Sequence, residues 1–254
     1  MKVNVTELAV RTILTAVVFG LVLFLPAGTL VWPAAWVYLV LLFSFIVAVS
    51  VWLLRFNPEL LSERMSGIGR SGHKSWDKVF LLLLLPLFFG WYMVMALDAV
   101  RFRWSYIPDW LRWIAAGVLL ASFYIFYLTF RENTYLSPAV RIQTDRGQTV
   151  VSTGPYRYVR HPMYSGFIVF TVGTAFLLGS AFGLLGALVL TALIFWRAVR
   201  EERVEVDVVV DDELRAFGLA DAAEGPRAVD RQLLVDDVGA DLERRRVALA
   251  HEAD

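Results

Sequence analysis

The chain of 254 residues has a formal net charge of zero, is 58% hydrophobic and has a mean hydropathy of +0.59. Because its apolar residues form blocks of about 20, long enough to cross a bilayer as helices, the composition excludes an ordinary soluble domain and predicts an all-α, polytopic integral membrane protein. The absence of cysteine excludes disulfides and thiolate metal sites, and three histidines leave little for a histidine-rich centre, so no metal site is expected.

Four apolar segments in the first part of the chain predict membrane-spanning helices. They cover about residues 8–25, 32–54, 79–97 and 111–130. The third contains Pro86, which predicts a kink because proline removes a backbone hydrogen bond from the helix. Between the second and third segments, NPELLSERM offers Asn57 as an N-cap and Pro58 at the first helical position, which predicts a short amphipathic helix at the membrane surface.

The last apolar block, residues 162–196, is too long for one membrane-spanning helix. As a single helix its 35 residues would measure about 50 Å, whereas the hydrocarbon core of a bilayer is about 30 Å thick. The middle of the block reads LLGSAFGLLG, in which Gly179, Ser180 and Gly183 are turn-forming residues. The block therefore predicts a C-terminal helical hairpin, which brings the number of spans to about six.

Lys and Arg in the connecting segments set the expected orientation, because these residues favour the cytosolic side of a membrane. The segments that follow the six predicted spans carry 0, 5, 2, 5, 0 and 3 of them in chain order. With six spans, both five-cation segments and both termini fall in the cytosol. The alternation supports the hairpin, since one long fifth helix would place the arginine-rich exit on the opposite side.

The sequence GPYRYVRHPMYSG, residues 154–166, forms a cationic and aromatic corner at the start of the hairpin. Its two prolines push the residues before them to extended conformations, so His161 is expected just before a helix that begins at Pro162. The start of a helix offers unpaired backbone N–H groups and the positive end of the helix dipole. Arg157, Arg160 and His161 add donors, which predicts a polar ligand site at the cytosolic surface.

The second half of this site is expected from RAVREER, residues 197–203, at the exit of the hairpin. A hairpin returns Glu201 and Glu202 towards the level of His161. Two carboxylates that face histidine and arginine suit ribose hydroxyls or an ammonium group.

The corner sequence, an apolar hairpin and then REE together resemble the isoprenylcysteine carboxyl methyltransferase family of membrane enzymes, over about residues 55–203. The signature of that family is Arg-His-Pro-x-Tyr-x-Gly, followed after a hydrophobic stretch by Glu-Glu. The matching residues here are Arg160, His161, Pro162, Tyr164, Gly166, Glu201 and Glu202.

The resemblance implies an enzyme that uses S-adenosylmethionine to methylate a membrane-borne acceptor at the cytosolic surface. The residues expected to bind the cofactor are His161, Pro162, Tyr164, Gly166, Tyr156, Glu201 and Glu202. The candidates to hold a carboxylate acceptor through paired hydrogen bonds are Arg160, Arg157 and Arg197. The expected partners are the lipid bilayer and a lipophilic small-molecule or lipid acceptor, without nucleic acid, and the expected location is the bacterial inner membrane.

Carboxylate O-methylation is the favoured reaction, because a carboxylate is ionised at neutral pH and needs no base. A lipid amine would have to arrive neutral, with a glutamate or His161 as its base. A sterol-reductase-like NADPH enzyme and a catalytically inactive paralogue stay open as other classes. Glu132 and Asn133, after the fourth span, are expected to form a cytosolic helix end, with a place in the lining of the cofactor pocket as the alternative.

The composition changes abruptly after Arg203. Residues 1–203, the expected transmembrane methyltransferase-like domain, carry 18 Lys and Arg against 10 Asp and Glu, whereas residues 204–254 carry 6 against 14. This acidic tail lacks the aromatic, basic character that follows the glutamate pair in the resembled family. Two explanations stay open: a change of reading frame near Arg203, which the nucleotide sequence would test, or a genuine acidic and partly disordered tail.

Overall fold

The computed structural model describes residues 3–65, 75–136 and 151–216, and only the backbone of residues 75 and 203–216. This part of the chain is helical and has no strand, so the predicted all-α class is confirmed. The helices are α1 (Val5–Ala27), α2 (Pro33–Phe56), α3 (Pro58–Met65), α4 (Ser75–Ala96), α5 (Asp109–Glu132), α6 (Pro162–Leu178) and α7 (Ala181–Ala216). Within the described ranges, five apolar segments are long enough to cross a membrane, and α6, with 17 residues, is shorter. The architecture is that of a polytopic membrane protein.

Two asparagines begin helices by accepting hydrogen bonds from the first turn. Asn4 Oδ1 accepts from the N–H groups of Thr6 and Glu7 at 3.0 and 3.3 Å, and Asn57 Oδ1 accepts from the N–H of Leu60 at 3.1 Å. These N–H groups have no partner inside the helix, so the two asparagines stabilise the N-terminal ends of α1 and α3. The predicted N-cap at Asn57 and the short helix α3 are confirmed.

An aromatic core joins α1, α2 and α4. The side chains of Tyr38 and Tyr92 are fully buried and their hydroxyls are hydrogen-bonded to each other. The ring of Phe19 meets those of Phe43, Phe89 and Tyr92 edge-on, with centroids 5.3–5.9 Å apart. Edge-to-face packing is a favoured geometry for aromatic pairs, so these contacts hold α1 and α2 against α4.

The third span ends differently from the prediction. After α4 the chain continues as a single π-helical turn, Leu97–Phe102, where a loop was expected, so that Trp76–Phe102 form one apolar segment of 27 residues. Pro86 lies inside α4 without ending it, and the kink there stays a prediction. A π-helical turn is rare and needs a local cause. Here it coincides with the buried carboxylate of Asp98.

Asp98 ties the π-helical turn to the hairpin. Its Oδ2 atom accepts hydrogen bonds from Ser105 Oγ at 2.7 Å, Ser180 Oγ at 2.5 Å and the N–H of Phe182 at 3.3 Å. The two serine hydroxyls accept in turn from backbone N–H groups in the first turn of α7, at 2.9 and 2.8 Å. The carboxylate and the serines therefore cap the N-terminal end of α7, where a negative charge is favourable.

Helices α6 and α7 form the predicted hairpin around a turn of two residues, Gly179 and Ser180. Gly179 has a φ of +84°, in the left-handed region that glycine adopts without strain. Gly183, expected in the turn, already belongs to α7. A Cβ atom there would lie 2.7 Å from the side chain of Met95, so the absence of a side chain allows α7 to approach α4 closely.

The described helix α7 crosses the compositional boundary at residue 203 and continues to Ala216. The rest of the acidic tail, residues 217–254, lies outside the described residues, as do four of the loop cations that set the expected orientation. These are Arg70, Lys74, Arg141 and Arg146.

Replacing Asp98 with alanine should destabilise the hairpin end of the bundle. The change leaves the hydroxyls of Ser105 and of the buried Ser180 without their acceptor, and hydrogen bonds to a charged group contribute roughly 1.5–3 kcal/mol each. We expect the thermal midpoint in detergent to fall by on the order of 10 °C. Asp109→Ala is the matched control, because Asp109 lies at the same end of the bundle and its side chain is 78% exposed. Its ion pair with Arg112 is long, at 3.4 Å. An equal shift in both variants would contradict this role of Asp98.

The orientation of the bundle can be tested with single-cysteine variants, because the chain contains no cysteine. Tyr106 and Tyr158 are 76% and 81% exposed and lie at opposite ends of the bundle. We expect a membrane-impermeant maleimide to label Tyr106→Cys in intact spheroplasts, and to label Tyr158→Cys only after the membrane is permeabilised. The reverse pattern would overturn the expected cytosolic position of the termini.

Candidate functional site

The corner sequence, residues 154–166, is called the motif from here on. Its first turn packs against the C-terminal end of α5. Gly154–Arg157 form one 3-10 turn, and the residue before it, Thr153, donates from Oγ1 to Glu132 Oε2 at 3.0 Å. Gly154 has a φ of +59°, and a Cβ atom there would lie 2.4 Å from Cγ of Glu132. Both the backbone conformation and the close approach therefore require glycine at this position.

Tyr156 extends the contact between the turn and α5. Its hydroxyl accepts a hydrogen bond from Asn133 Nδ2 at 2.8 Å, and burial raises the pKa of the phenol. Glu132 and Asn133 do form the end of α5, as expected, with the N–H of Asn133 bonded to the carbonyl of Thr129. Each of the two also contacts residues 153–156, and lining of the cofactor pocket, the alternative expected from the sequence, stays a prediction.

His161 meets Glu202 across the hairpin. His161 Nε2 and Glu202 Oε1 lie 3.2 Å apart, although 41 residues separate them in the chain. The imidazole is stacked on the ring of Tyr164, with centroids 5.3 Å apart and an angle of 22° between the planes. Arg160 Nη1 lies 3.7 Å from the same Glu202 oxygen. The motif and the glutamate pair thus converge as the sequence predicted.

Both oxygens of Glu201 are held. The hydroxyl of Tyr164 donates to Oε2 at 2.5 Å, and Arg197 Nη2 lies 3.6 Å from Oε1. Arg197 also donates to both oxygens of Asp77 in the first turn of α4, from Nε at 3.0 Å and from Nη2 at 3.3 Å. This is the bidentate geometry that suits arginine and carboxylate best. Helix α4 is therefore the third wall of the site, beside α6 and α7.

Exposure decreases along this set of side chains from the outer edge of the site inward. The exposed fractions are 48% for Arg160, 39% for Glu202, 32% for His161, 22% for Glu201, 9% for Arg197 and 0% for Asp77. The outer groups are accessible to water-soluble ligands, whereas the inner groups lie between helices. The site therefore connects an aqueous face to the protein interior.

The structure places three other predicted residues at the edges of this arrangement. Pro162 is buried at the first position of α6, as expected. Gly166 is buried against α5, where a Cβ atom would lie 2.8 Å from the ring of Phe126, so its position serves close helix packing. Arg157 ends the 3-10 turn with an exposed side chain. The functional roles of these residues stay predictions.

Sequence reasoning missed Asp77. The available signal was a single acidic residue beside an apolar span, and ionisable residues in such segments usually have a partner in the protein. That signal was ambiguous, because an acidic residue in a first turn also interacts favourably with the helix dipole. Its partner Arg197 lies 120 residues further along the chain, and only the folded structure reveals the pair.

The charges of the site favour cationic and hydroxyl-bearing ligands. The three carboxylates of Asp77, Glu201 and Glu202 exceed the two guanidinium groups of Arg160 and Arg197. The start of α6 supplies the opposite preference at one point, since backbone N–H groups at a helix start attract anions. One molecule with both an ammonium and a carboxylate group would fit this combination.

Part of the chain matches a family of known proteins. Residues 113–207 match the model of the phospholipid methyltransferase family, which lies in the same superfamily of membrane methyltransferases as the isoprenylcysteine carboxyl methyltransferases. The matched segment includes the motif turn, α6 and the glutamate pair, and leaves out Asp77. No curated protein and no solved structure matches the chain. The family match indicates that the chain is a membrane methyltransferase of the kind that depends on S-adenosylmethionine.

Proposed function

We propose that the protein transfers a methyl group from S-adenosylmethionine to a lipid acceptor at one face of the membrane. The observation that carries this proposal is the 3.2 Å contact between His161 and Glu202. It joins the two sequence elements that the resemblance assigns to cofactor binding, at the water-accessible edge of a site between apolar helices. The family match supports the reaction class independently of this contact.

The side chains present fit this cofactor. Its ammonium group and ribose hydroxyls suit the carboxylates of Glu201 and Glu202, and its carboxylate suits the start of α6 at Pro162. The stacked rings of His161 and Tyr164 offer a flat surface beside these groups. When bound, S-adenosylmethionine supplies a methyl group that its sulfonium already activates. The tasks left to the protein are to orient the acceptor and to exclude water.

An amine is the acceptor that the inner part of the site supports best. Arg197, one of the three arginines expected to hold a carboxylate acceptor, is buried in its bidentate pair with Asp77. Glu201 lies beside this pair, and a carboxylate there stabilises a bound ammonium group and can accept its proton before transfer. Of the two acceptor classes considered from the sequence, we therefore place a lipid amine first.

A carboxylate acceptor is the second candidate, and the outer arginines favour it. Arg160 is 48% exposed and lies 3.7 Å from Glu202, a long and exposed contact that a ligand can replace. Arg157 is exposed on the adjoining turn. Because the cofactor is water-soluble, we further propose that this face of the protein is the cytosolic side of the bacterial inner membrane.

Removing either partner of the His161–Glu202 contact should weaken cofactor binding. We expect His161→Ala and Glu202→Gln to raise the Kd for S-adenosylmethionine about tenfold or more, equivalent to about 1.4 kcal/mol, measured calorimetrically in detergent or nanodiscs. Glu7→Gln is the control, since Glu7 pairs with Arg11 at 2.6 Å on the outside of the bundle. Absence of saturable binding by the unaltered protein would overturn the proposed function.

The class of acceptor can be decided from the chemistry of the product. With tritiated S-adenosylmethionine and total membrane lipid, an amine acceptor gives label that survives alkali, whereas a methyl ester releases volatile methanol. For an amine, we expect the rate of the unaltered enzyme to vary little between pH 7 and 9. In Glu201→Gln the rate should rise about tenfold per pH unit, because the neutral amine must then come from solution and its pKa is near 10. Alkali-labile label would instead establish the carboxylate.

A further inference from the structure

Asp77 is the most deeply buried acidic group at this end of the described bundle, and it lies outside the segment that matches the methyltransferase family. It is the third residue of α4, and its side chain is 0% exposed. Two hydrogen bonds, at 3.0 and 3.3 Å, fix the plane of the Arg197 guanidinium against it. Two bonds in one plane leave that guanidinium little freedom to turn.

Arg197 links this pair to the glutamates. Its Nη2 atom, which donates to Asp77, also lies 3.6 Å from Glu201 Oε1. The other Glu201 oxygen accepts from Tyr164, whose ring is stacked on His161. A change at Asp77 can therefore reach the proposed cofactor site through Arg197 and Glu201.

The pair is almost completely removed from solvent, and aromatic side chains lie beside it. The ring of Trp196 packs on Trp76 and Phe80, with centroids 6.1 and 5.6 Å apart. The Arg197 guanidinium lies 5.8 Å from the centroid of Phe80 and 6.0 Å from that of Tyr164. Charges interact strongly where water is excluded. The position of the Arg197 guanidinium therefore decides how far the negative charge of Glu201 is already compensated within the protein.

We propose that Asp77 is a positioning residue of the methyltransferase site. It holds the guanidinium of Arg197 on the α4 side, which keeps Arg197 from closing onto Glu201. Residues 197 and 201 are one helical turn apart, and their ion pair, now 3.6 Å long, would otherwise shorten. The Glu201 carboxylate thereby keeps its orientation and stays available to a cationic ligand. This inference rests on the proposed function, and it adds α4 to the elements that shape the site.

A double-mutant cycle separates positioning from stability. We expect Asp77→Asn to weaken S-adenosylmethionine binding about tenfold, within the range of coupling between neighbouring residues. In a Glu201→Gln background the same substitution should have almost no further effect on Kd, because Arg197 then has no carboxylate at 201 to close onto. In a Glu202→Gln background it should keep its full effect. A merely structural pair would give the same effect in both backgrounds.

The control is Asp109→Asn, since Asp109 also lies in the first turn of an apolar helix beside an arginine, at the other end of the bundle. It should leave Kd unchanged. If Asp77→Asn does not fold, Arg197→Lys passes through the same cycle, because lysine keeps the charge and loses the bidentate geometry.

The possible outcomes are distinguishable. If Asp77→Asn raises Kd equally in the Glu201→Gln and Glu202→Gln backgrounds while the unaltered protein binds normally, the role of Asp77 is overturned. The proposed function would still stand. No saturable binding by the unaltered protein would overturn both.

Discussion

The two-residue turn between α6 and α7 is the constraint on which the site depends. The number of residues between the turn and a given side chain decides how far along the hairpin that side chain lies. Helix α6 has 17 residues, and Arg197 is the seventeenth residue of α7. At about 1.5 Å per residue, Pro162 and Arg197 therefore lie at the same height, about 25 Å from the turn. Glu201 and Glu202 follow one turn later, beside the extended residues that precede α6. A shorter or longer α6 would move the motif away from the glutamates.

This dependence explains which parts of the site could be predicted from the sequence. The hairpin follows from the length of the apolar block and its small residues, and the meeting of His161 and Glu202 follows from the hairpin, because helical rise is fixed. The start of α6 at Pro162 follows from proline geometry. These are local or nearly local inferences, and the 3.2 Å contact between the predicted partners agrees with them.

The parts that escaped prediction all depend on contacts between distant helices. The pairing of Asp77 with Arg197 requires the packing of α4 on α7, and no periodicity in either segment specifies it. The contacts of Glu132 and Asn133 with the motif turn require the register of α5 against residues 153–156. The π-helical turn was predicted as a loop because the hydrogen bond of Asp98 with Ser180, 82 residues further along the chain, is absent from the local sequence.

Asp77 and Asp98, buried carboxylates at opposite ends of the bundle, show how differently a membrane protein can use such a group. Asp98 accepts its hydroxyl and N–H hydrogen bonds through Oδ2, all from the region of one turn, so its role is to hold that region together. Asp77 is instead satisfied by a guanidinium that also contacts Glu201.

Replacing a buried ion pair by apolar residues is often neutral or stabilising, whereas removing one partner costs about 3–5 kcal/mol. Stability alone therefore gives little reason for an arginine and a carboxylate between apolar helices, since leucine or phenylalanine would fill the same volume. The geometry of the pair does provide a reason, because an Arg197 guanidinium held by Asp77 leaves the Glu201 carboxylate available to a ligand. The ion pair that α4 makes with α7 is thus better explained by the orientation of Glu201 than by the stability of the bundle.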